Sequence, residues 1–114
     1  FLLSLLKYNN RNENGGNTMI TTKQRSYLRS LANSIQPIFQ VGKGGVSDNM
    51  IKQFDEALEA RELVKATVLR NSEEDVRDVC NEIAQATGAD IVQIIGNKFV
   101  LYRESKENKS IILP

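Results

Sequence analysis

Three glycines within four residues separate a short apolar segment from an amphipathic helical pattern, and this loop constrains the fold more than any other part of the chain. The loop consists of Gly42, Lys43, Gly44 and Gly45. Glycine tolerates positive φ and has no Cβ, so a bulky ligand can approach the main chain closely. Ser47 or Asp48 is a suitable N-cap for the next helix, and a helix N-terminus attracts anions. The segment therefore predicts a strand, a loop and a helix start that together suit a phosphate.

The glycine loop matches neither of the common nucleotide-binding motifs. The pattern G-x-x-x-x-G-K-[ST] is absent, and G-x-G-x-x-G fails at Ser47, where a third glycine would stand. Nucleotide hydrolysis and dinucleotide redox chemistry are therefore disfavoured. A glycine cluster between a strand and a helix is also common as a tight connection without a ligand, and that alternative stays open at this point.

The residue types missing from the chain argue against catalysis and predict no cofactor. There is no histidine, which removes the usual general base near neutral pH and the commonest metal ligand. Cys80 is the only cysteine, so an intramolecular disulfide and a thiolate zinc cluster are excluded. Its place on the apolar side of a predicted helix favours a buried core thiol. A single thiol also fits a reducing, cytoplasmic location.

Charge is distributed unevenly along the chain, although the net charge is only +1. Residues 19–54 carry five basic and one acidic side chain, whereas residues 55–82 carry four basic and nine acidic ones. This asymmetry predicts one face suited to a polyanion and another that repels it. The acidic helices are either simply solvated or meet a basic protein partner.

Hydrophobic periodicity predicts seven elements in the order α-β-α-β-α-β-β. They are a helix from Thr21 or Thr22 to about Ser34, a strand over Pro37–Val41, a helix over Ser47–Ala60, a strand over Leu63–Leu69, a helix opened by a capping box at Ser72, and strands over Asp90–Ile95 and Phe99–Arg103. This order predicts a single-domain α/β sandwich with a mixed sheet of about four strands. The tail from Glu104 to Pro114 is expected to pack back along an edge.

The first helix is predicted to be amphipathic. Tyr27, Leu28, Leu31 and Ile35 fall on the side expected to be buried. Arg25 and Arg29 lie four residues apart and share the other side, with Lys23 nearby. The pattern predicts a basic outer face, which is either part of a binding surface or an ordinary solvated one.

Residues 1–18 differ in composition from the rest of the chain. Phe1–Leu6 is apolar but too short to span a bilayer, and residues 9–17 are rich in asparagine and glycine. Met19 opens the first well-patterned segment, so residues 1–18 are expected to be a disordered or added extension and residues 19–114 the domain. No signal peptide and no membrane association are predicted.

Four separated blocks of the sequence resemble the CRM domain (chloroplast RNA splicing and ribosome maturation). The blocks are Thr22-Lys23-Gln24-Arg25-x-x-Leu28-Arg29-x-Leu31-Ala32, Pro37-x-x-Gln40-Val41-Gly42-Lys43-Gly44-Gly45, Glu62-Leu63-Val64-Lys65 and Val92-Gln93-x-x-Gly96-x-x-x-Val100-Leu101-Tyr102-Arg103. The chain is particularly similar to the small stand-alone bacterial members. Residues 1–18 match nothing in the pattern.

The resemblance implies a fold like that of the C-terminal domain of bacterial translation initiation factor three, and an RNA-binding function. The bacterial members are associated with precursors of the large ribosomal subunit, so structured ribosomal RNA is the expected partner. The G-x-x-G loop of the family falls on the glycine loop and implies clamping of an RNA backbone. The expected RNA-binding residues are Gly42, Lys43, Gly44, Gly45, Lys23, Arg25 and Arg29, with Lys98 and Arg103 extending the patch if the hairpin end lies nearby.

Two other functions remain open at the level of sequence. The acidic segments Asp55–Glu62 and Glu73–Glu82 predict a surface for a basic partner such as a ribosomal protein, which is compatible with RNA binding on another face. The glycine loop would alternatively serve a phosphate-handling enzyme. That reading is the weaker one, because no clustered acidic set with ligand spacing is evident.

Overall fold

The computed structural model describes residues 20–42, 44–70 and 75–114. Its elements are α1 (Thr22–Ala32), β1 (Phe39–Val41), α2 (Asp48–Arg61), β2 (Leu63–Val68), α3 (Val76–Thr87), β3 (Asp90–Ile95) and β4 (Lys98–Tyr102). The predicted α/β class and the order α-β-α-β-α-β-β are confirmed. The expected extension over residues 1–18, Lys43 of the glycine loop and the predicted cap at Ser72 lie outside the described residues.

The four strands form one mixed sheet with the order β1-β2-β4-β3. β1 runs parallel to β2, and Val41 is opposite Val68. β4 is antiparallel to both of its neighbours: Thr67 of β2 is opposite Lys98, and Leu63 is opposite Tyr102. Because β2 lies between β1 and β4, the end of β1 and the β3–β4 turn are brought to the same edge of the sheet.

Hydrophobic side chains on the two faces of the sheet form separate clusters. One cluster packs α2 and α3 on the sheet around Phe54, Phe99 and Ile83. The other packs α1 on the opposite face around Leu28, Val100 and Tyr102. We call these the α2–α3 face and the α1 face. Burial of both faces explains why apolar residues occur at most positions of β2 and β4.

Helix α1 begins where its sequence provides a complete capping box. The Thr21 hydroxyl accepts a hydrogen bond from the Gln24 N–H at 3.1 Å, and the Gln24 side-chain oxygen accepts one from the Thr21 N–H at 3.0 Å. Leu28 and Ala32 are fully covered, whereas Tyr27 is 38% exposed. The expectation that Tyr27 faces the core is wrong, since it lies about 100° around the helix from Leu28.

The C-terminal tail packs back on the molecule without forming a strand, and two carboxylates of α2 and its C-cap hold it. The buried Glu62 carboxylate accepts hydrogen bonds from the N–H groups of Ser105, Ser110 and Ile111, each at 2.8 Å. Glu59 accepts from the Ser105 hydroxyl at 2.7 Å and from the Glu107 N–H at 2.9 Å. These bonds let Ile111 and Leu113 pack against the α1 cluster.

The hydrogen bonds to the tail favour the ionised forms of both carboxylates. The Ser105 hydroxyl and the N–H groups of the tail lower the pKa of Glu59 to about 2. Burial opposes ionisation of Glu62, but the N–H groups of the tail outweigh it and lower its pKa below the ordinary value. Both groups are therefore expected to hold the tail as anions at neutral pH.

We predict that acid weakens the tail contacts. Both folded-state pKa values lie below the unfolded value of 4.5, so the stabilisation is complete above about pH 5 and is lost as the pH falls toward 2. Glu62→Gln is expected to lower the free energy of unfolding at pH 7 by about 2 kcal/mol, because an amide NH₂ would face backbone N–H donors. The variant should also lose less stability than the parent between pH 6 and pH 3.

Urea unfolding at several pH values measures both effects. Glu104→Gln is the matched control, because Glu104 is an exposed carboxylate of the same tail, paired on the surface with Lys109. Its stability and pH dependence are expected to match the parent. Equal pH dependence in the parent and the Glu62→Gln variant would show that Glu62 does not hold the tail as an anion.

Candidate nucleic-acid interface

Gly42, Gly44 and Gly45 lie in the short connection between β1 and the N-terminus of α2. The Gly45 N–H donates to the Gly42 carbonyl at 3.0 Å, and Gly45 has a φ of 68°. A side chain is strained at that φ, so the turn itself requires glycine at position 45. Ser47 caps α2 by accepting a hydrogen bond from the Met50 N–H at 3.1 Å. The structure thus has the predicted strand, loop and helix N-terminus.

Gly44 differs from Gly45 in what surrounds it. A Cβ placed on Gly44 would meet no atom within 4 Å, and the residue is exposed. A Cβ on Gly42 would lie at ordinary contact distance, 3.6 Å, from Cδ1 of Leu69. The packing of the protein therefore leaves room for a side chain at position 44. The glycine there keeps the backbone open to an approaching group.

Two further connections lie beside the glycine loop. The Leu69 N–H donates to the Val41 carbonyl at 2.8 Å, which links the chain after β2 to the start of the loop. The Val68 N–H donates to the Asn97 carbonyl at 2.7 Å, and the Asn97 side chain donates back to the Val68 carbonyl at 3.2 Å. We call the end of the sheet formed by residues 42, 44–45, 69–70 and 96–98 the loop end.

The loop end contains one expected cation and one that sequence reasoning missed. Lys98 opens β4 there, so the condition set for it, that the hairpin end lies nearby, is met. Arg70 is exposed and immediately follows Leu69, which is bonded to Val41. The sequence position of Arg70 could have indicated its place, because Arg70 follows β2 as Lys43 follows β1 in the sequence. Neighbouring parallel strands end on the same side of a sheet.

Arg103 lies at the other end of the sheet. It follows Tyr102, which is about 13 Å along β4 from Lys98 at the usual rise per residue. Its guanidinium donates to the Thr87 carbonyl at 2.8 Å and the Asp55 carbonyl at 3.0 Å, and it forms an ion pair with the Asp55 carboxylate. The side chain is only 14% exposed. Arg103 thus joins α2 to the end of α3 and does not extend the surface of the glycine loop.

The cations of α1 lie on different sides of that helix. Leu31 lines a surface cleft with Leu63 and Ile111, at the end of the sheet opposite the glycine loop. Arg29 is about 160° around the helix from Leu31, so it lies on the flank toward the loop end. Arg25 shares this flank and is half-buried, and its buried Nε has no hydrogen-bond partner among the described residues. Lys23 is exposed on the outer side.

The basic side chain of Lys65 has a structural role. Its ammonium donates to the carbonyls of Ala32 at 3.0 Å and Ile35 at 3.4 Å. These carbonyls belong to the end of α1 and the turn after it, where the helix dipole favours a cation. Lys65 therefore fixes the C-terminal end of α1 above β2, which orients the flank that carries Arg29.

Part of the acidic stretch is occupied within the molecule. Asp55 pairs with Arg103, while Glu59 and Glu62 hold the tail.

Cys80 is fully buried, as predicted, and burial raises the pKa of its thiol to about 12. Within residues 20–42, 44–70 and 75–114, no cluster of three or more acidic, histidine or cysteine side chains could hold a metal ion. No helix in that part of the chain is long and apolar enough to cross a membrane.

The sequence model of the CRS1 / YhbY (CRM) domain matches residues 20–103. The chain belongs to the CRM domain family. The match begins just before α1 and ends just after β4, so the CRM domain here includes every described helix and strand. The recognition made from the four sequence blocks is confirmed.

Bacterial relatives of this CRM domain are small proteins of similar length. The Probable RNA-binding protein YqeI of Bacillus subtilis is 60% identical over 96 residues, which is 84% of this chain and 100% of the relative. An RNA-binding protein of Haemophilus influenzae is 35% identical, over 81% of this chain and 93% of the relative. These names refer to RNA binding and to no catalysed reaction.

A solved structure has the same fold. The hypothetical protein SAV1595 of Staphylococcus aureus, described as a candidate RNA-binding protein, superposes with a TM-score of 0.71 and is 55% identical. The superposition covers 84% of this chain and 100% of that protein. The α/β fold of this CRM domain is therefore shared with that 55% identical protein.

We predict that Arg103 contributes mainly to stability. Arg103→Lys is expected to lower the free energy of unfolding by about 2 kcal/mol, because a lysine cannot reach the Asp55 and Thr87 carbonyls with a planar fork. Urea unfolding monitored by circular dichroism measures the change. Lys98→Ala is the control and should unfold like the parent. Parent-like stability of Arg103→Lys would contradict the structural role.

Proposed function

We propose that this CRM domain binds RNA by clamping its backbone at the glycine loop, and that it acts in assembly of the large ribosomal subunit. The observation that carries the proposal is the open main chain at Gly44, next to the N-terminus of α2. Relatives named as RNA-binding proteins support the choice of RNA as the ligand.

The geometry supports contact with phosphate groups. Backbone N–H groups at a helix N-terminus and in a glycine turn favour anions, and they need no side chain. Lys98 and Arg70 at the loop end, with Arg29 on the near flank of α1, add positive charge around the loop. Lys43, which lies outside the described residues, belongs to the same proposed site. Contacts of this kind position RNA and make its affinity depend on salt.

The proposed role in ribosome assembly rests on the resemblance to the small bacterial members of the family. We infer that the ligand is structured ribosomal RNA in a precursor of the large subunit. The domain would hold or stabilise this RNA without changing any covalent bond. The proposed site includes Gly42, Lys43, Gly44, Gly45, Lys23, Arg25, Arg29 and Lys98. We add Arg70, which is exposed at the loop end, and leave out Arg103, because its guanidinium is bonded to Asp55 and Thr87.

A protein partner for the acidic helices is a weaker proposal. Three carboxylates of the stretch from Asp55 to Glu62 already bind groups within the molecule, so less negative charge is available to a basic ribosomal protein than the sequence suggests. A phosphate-handling enzyme has even less support, since no described cluster of side chains provides an acid, a base and a metal site.

We predict that Gly44→Asp weakens RNA binding at least tenfold while the fold is retained. The new carboxylate would occupy the open space above the main chain and repel phosphate, and its Cβ would meet no atom within 4 Å. The free energy of unfolding should change by less than about 1 kcal/mol. A filter-binding titration with a large-subunit ribosomal RNA fragment at several salt concentrations measures the affinity.

Asn81→Asp is the matched control for charge. Asn81 is exposed on α3, so this substitution also adds one negative charge but lies away from the loop end. It should bind RNA nearly as the parent does, and both should lose affinity as salt increases. Equal affinities for the parent and the Gly44→Asp variant would exclude the glycine loop as the binding site.

The role in assembly is tested separately in cells. Replacing the native protein with the Gly44→Asp variant should increase the precursors of the large subunit relative to mature particles in sucrose gradients. The Asn81→Asp strain should have the parent profile. A normal profile in the Gly44→Asp strain, with RNA binding lost in vitro, would refute the role in assembly but leave RNA binding in place.

A further inference from the structure

A row of four side chains crosses the sheet next to the glycine loop. Gln40 is opposite Thr67, Thr67 is opposite Lys98, and Lys98 is opposite Ile95. Cross-strand partners present their side chains on the same face of a sheet. At a strand spacing of about 4.8 Å, the row extends over roughly 14 Å. We call these four residues the strand row.

The pleat of the sheet places the strand row on the α1 face. Val100 and Tyr102 alternate with Phe99 and Leu101 in β4, and they pack against α1. Lys98 is two residues before Val100 and therefore points to the same face. Ile94 packs in the other cluster, so the next residue, Ile95, also faces the α1 side.

Helix α1 does not cover this row. Gln40 is exposed, Thr67 and Lys98 are half-buried, and Ile95 is 59% exposed although it is a large aliphatic residue. The C-terminal end of α1 is held instead above Lys65, which is two residues farther along β2 from the loop end than Thr67. The strand row is therefore an accessible part of the sheet that is polar at three positions and apolar at one.

The surroundings of the strand row favour a polyanion. The glycine loop lies at the end of β1, directly after the strand that carries Gln40. Arg29 lies on the flank of α1 that faces the loop end, and α1 has no acidic residue. The acidic helix α3 packs on the opposite face of the sheet. RNA that leaves the glycine loop would thus be attracted to the α1 face and repelled from the other.

We propose that the strand row binds unpaired nucleotides of the RNA whose backbone the glycine loop holds. This inference rests on the proposed function and specifies its ligand as RNA with a single-stranded segment. Ile95 would contact a base or ribose by apolar packing, Gln40 and Thr67 would form hydrogen bonds to base edges, and Lys98 would contact a phosphate. Base edges and faces are accessible in unpaired RNA, whereas a duplex hides them.

The chemistry of the row explains why unpaired RNA fits better than a duplex. A duplex would meet this surface mainly with phosphates, for which Ile95 provides no favourable contact. An exposed isoleucine beside Lys98 instead suits a ligand that is charged on one side and apolar on the other. An unpaired nucleotide has both properties. The row is about 14 Å long, so more than one of its side chains can contact the ligand.

The test measures binding of two ribosomal RNA fragments, one with an unpaired loop and one made fully paired by a complementary strand. Ile95→Ser is expected to weaken binding of the unpaired fragment about fivefold at every salt concentration, with the salt dependence unchanged. The paired fragment should bind both proteins equally. Ile112→Ser is the matched control, because Ile112 is 82% exposed in the tail, and it should bind like the parent.

Lys98→Ala tests the charged position of the strand row. It should reduce the slope of log affinity against log salt by about one, as expected for one lost phosphate contact. Lys106→Ala is its control, because Lys106 is an exposed lysine at the other end of the sheet, and it should keep the parent slope. Thermal unfolding of all four variants shows whether each is folded.

The outcomes separate this inference from the proposed function. If Ile95→Ser and Lys98→Ala bind like the parent while Gly44→Asp is weak, the strand row is refuted and the glycine clamp stands. If Gly44→Asp also binds like the parent, both proposals fail. An equal loss by Ile95→Ser on paired and unpaired fragments would overturn the assignment of the row to unpaired nucleotides.

Discussion

The pairing of β2 with β1 on one side and β4 on the other is the constraint on which the rest of the structure depends. Because β1 is parallel to β2 and β4 is antiparallel to it, the C-terminal ends of β1 and β2 lie beside the β3–β4 turn at the loop end of the sheet. Hydrogen bonds from Leu69 to Val41 and from Val68 to Asn97 hold these three connections together. The open main chain of Gly44 and the cations Arg70 and Lys98 are neighbours for this reason alone.

The side chains at the end of the sheet opposite the loop end stabilise the fold. Glu62 lies at the centre of that end of the sheet, where it is fully buried and has a φ of 68°. Its carboxylate accepts hydrogen bonds from the tail, and its carbonyl accepts one from the Arg103 N–H. Holding a non-glycine residue at this φ costs free energy, which the buried charge-assisted hydrogen bonds offset. The two ends of the sheet therefore have different roles: one fixes the C-terminal tail, and the loop end leaves backbone and cations accessible.

The order of the elements and the glycine loop could be predicted from sequence, because both depend on local patterns. Hydrophobic periodicity identified β2, and Ser47 was a recognisable cap. Contacts over long sequence separations could not be predicted. The bonds that Arg103 donates to Asp55 and Ser110 donates to Glu62 join residues almost fifty positions apart. From its sequence neighbours alone, Arg103 after β4 could not be distinguished from Lys98. Only the strand order shows that the first is structural and the second lies beside the loop.

The charge asymmetry of the chain acquires a different meaning from this division. In sequence it predicts one face suited to a polyanion and another that repels it, where the acidic helices are either solvated or meet a basic partner. In the structure, much of the negative charge of α2 pairs inward, with Arg103 and with the N–H groups of the tail. The positive charge of the first third has fewer such partners: Arg29 bonds only to the Ser26 hydroxyl among the contacts of its side chain that the structure shows. The acidic residues thus stabilise the fold at one edge, and the basic ones are left to attract a polyanion at the other. The proposed single binding surface, centred on the glycine loop and extended over the α1 face, accounts for this distribution better than two opposed surfaces do.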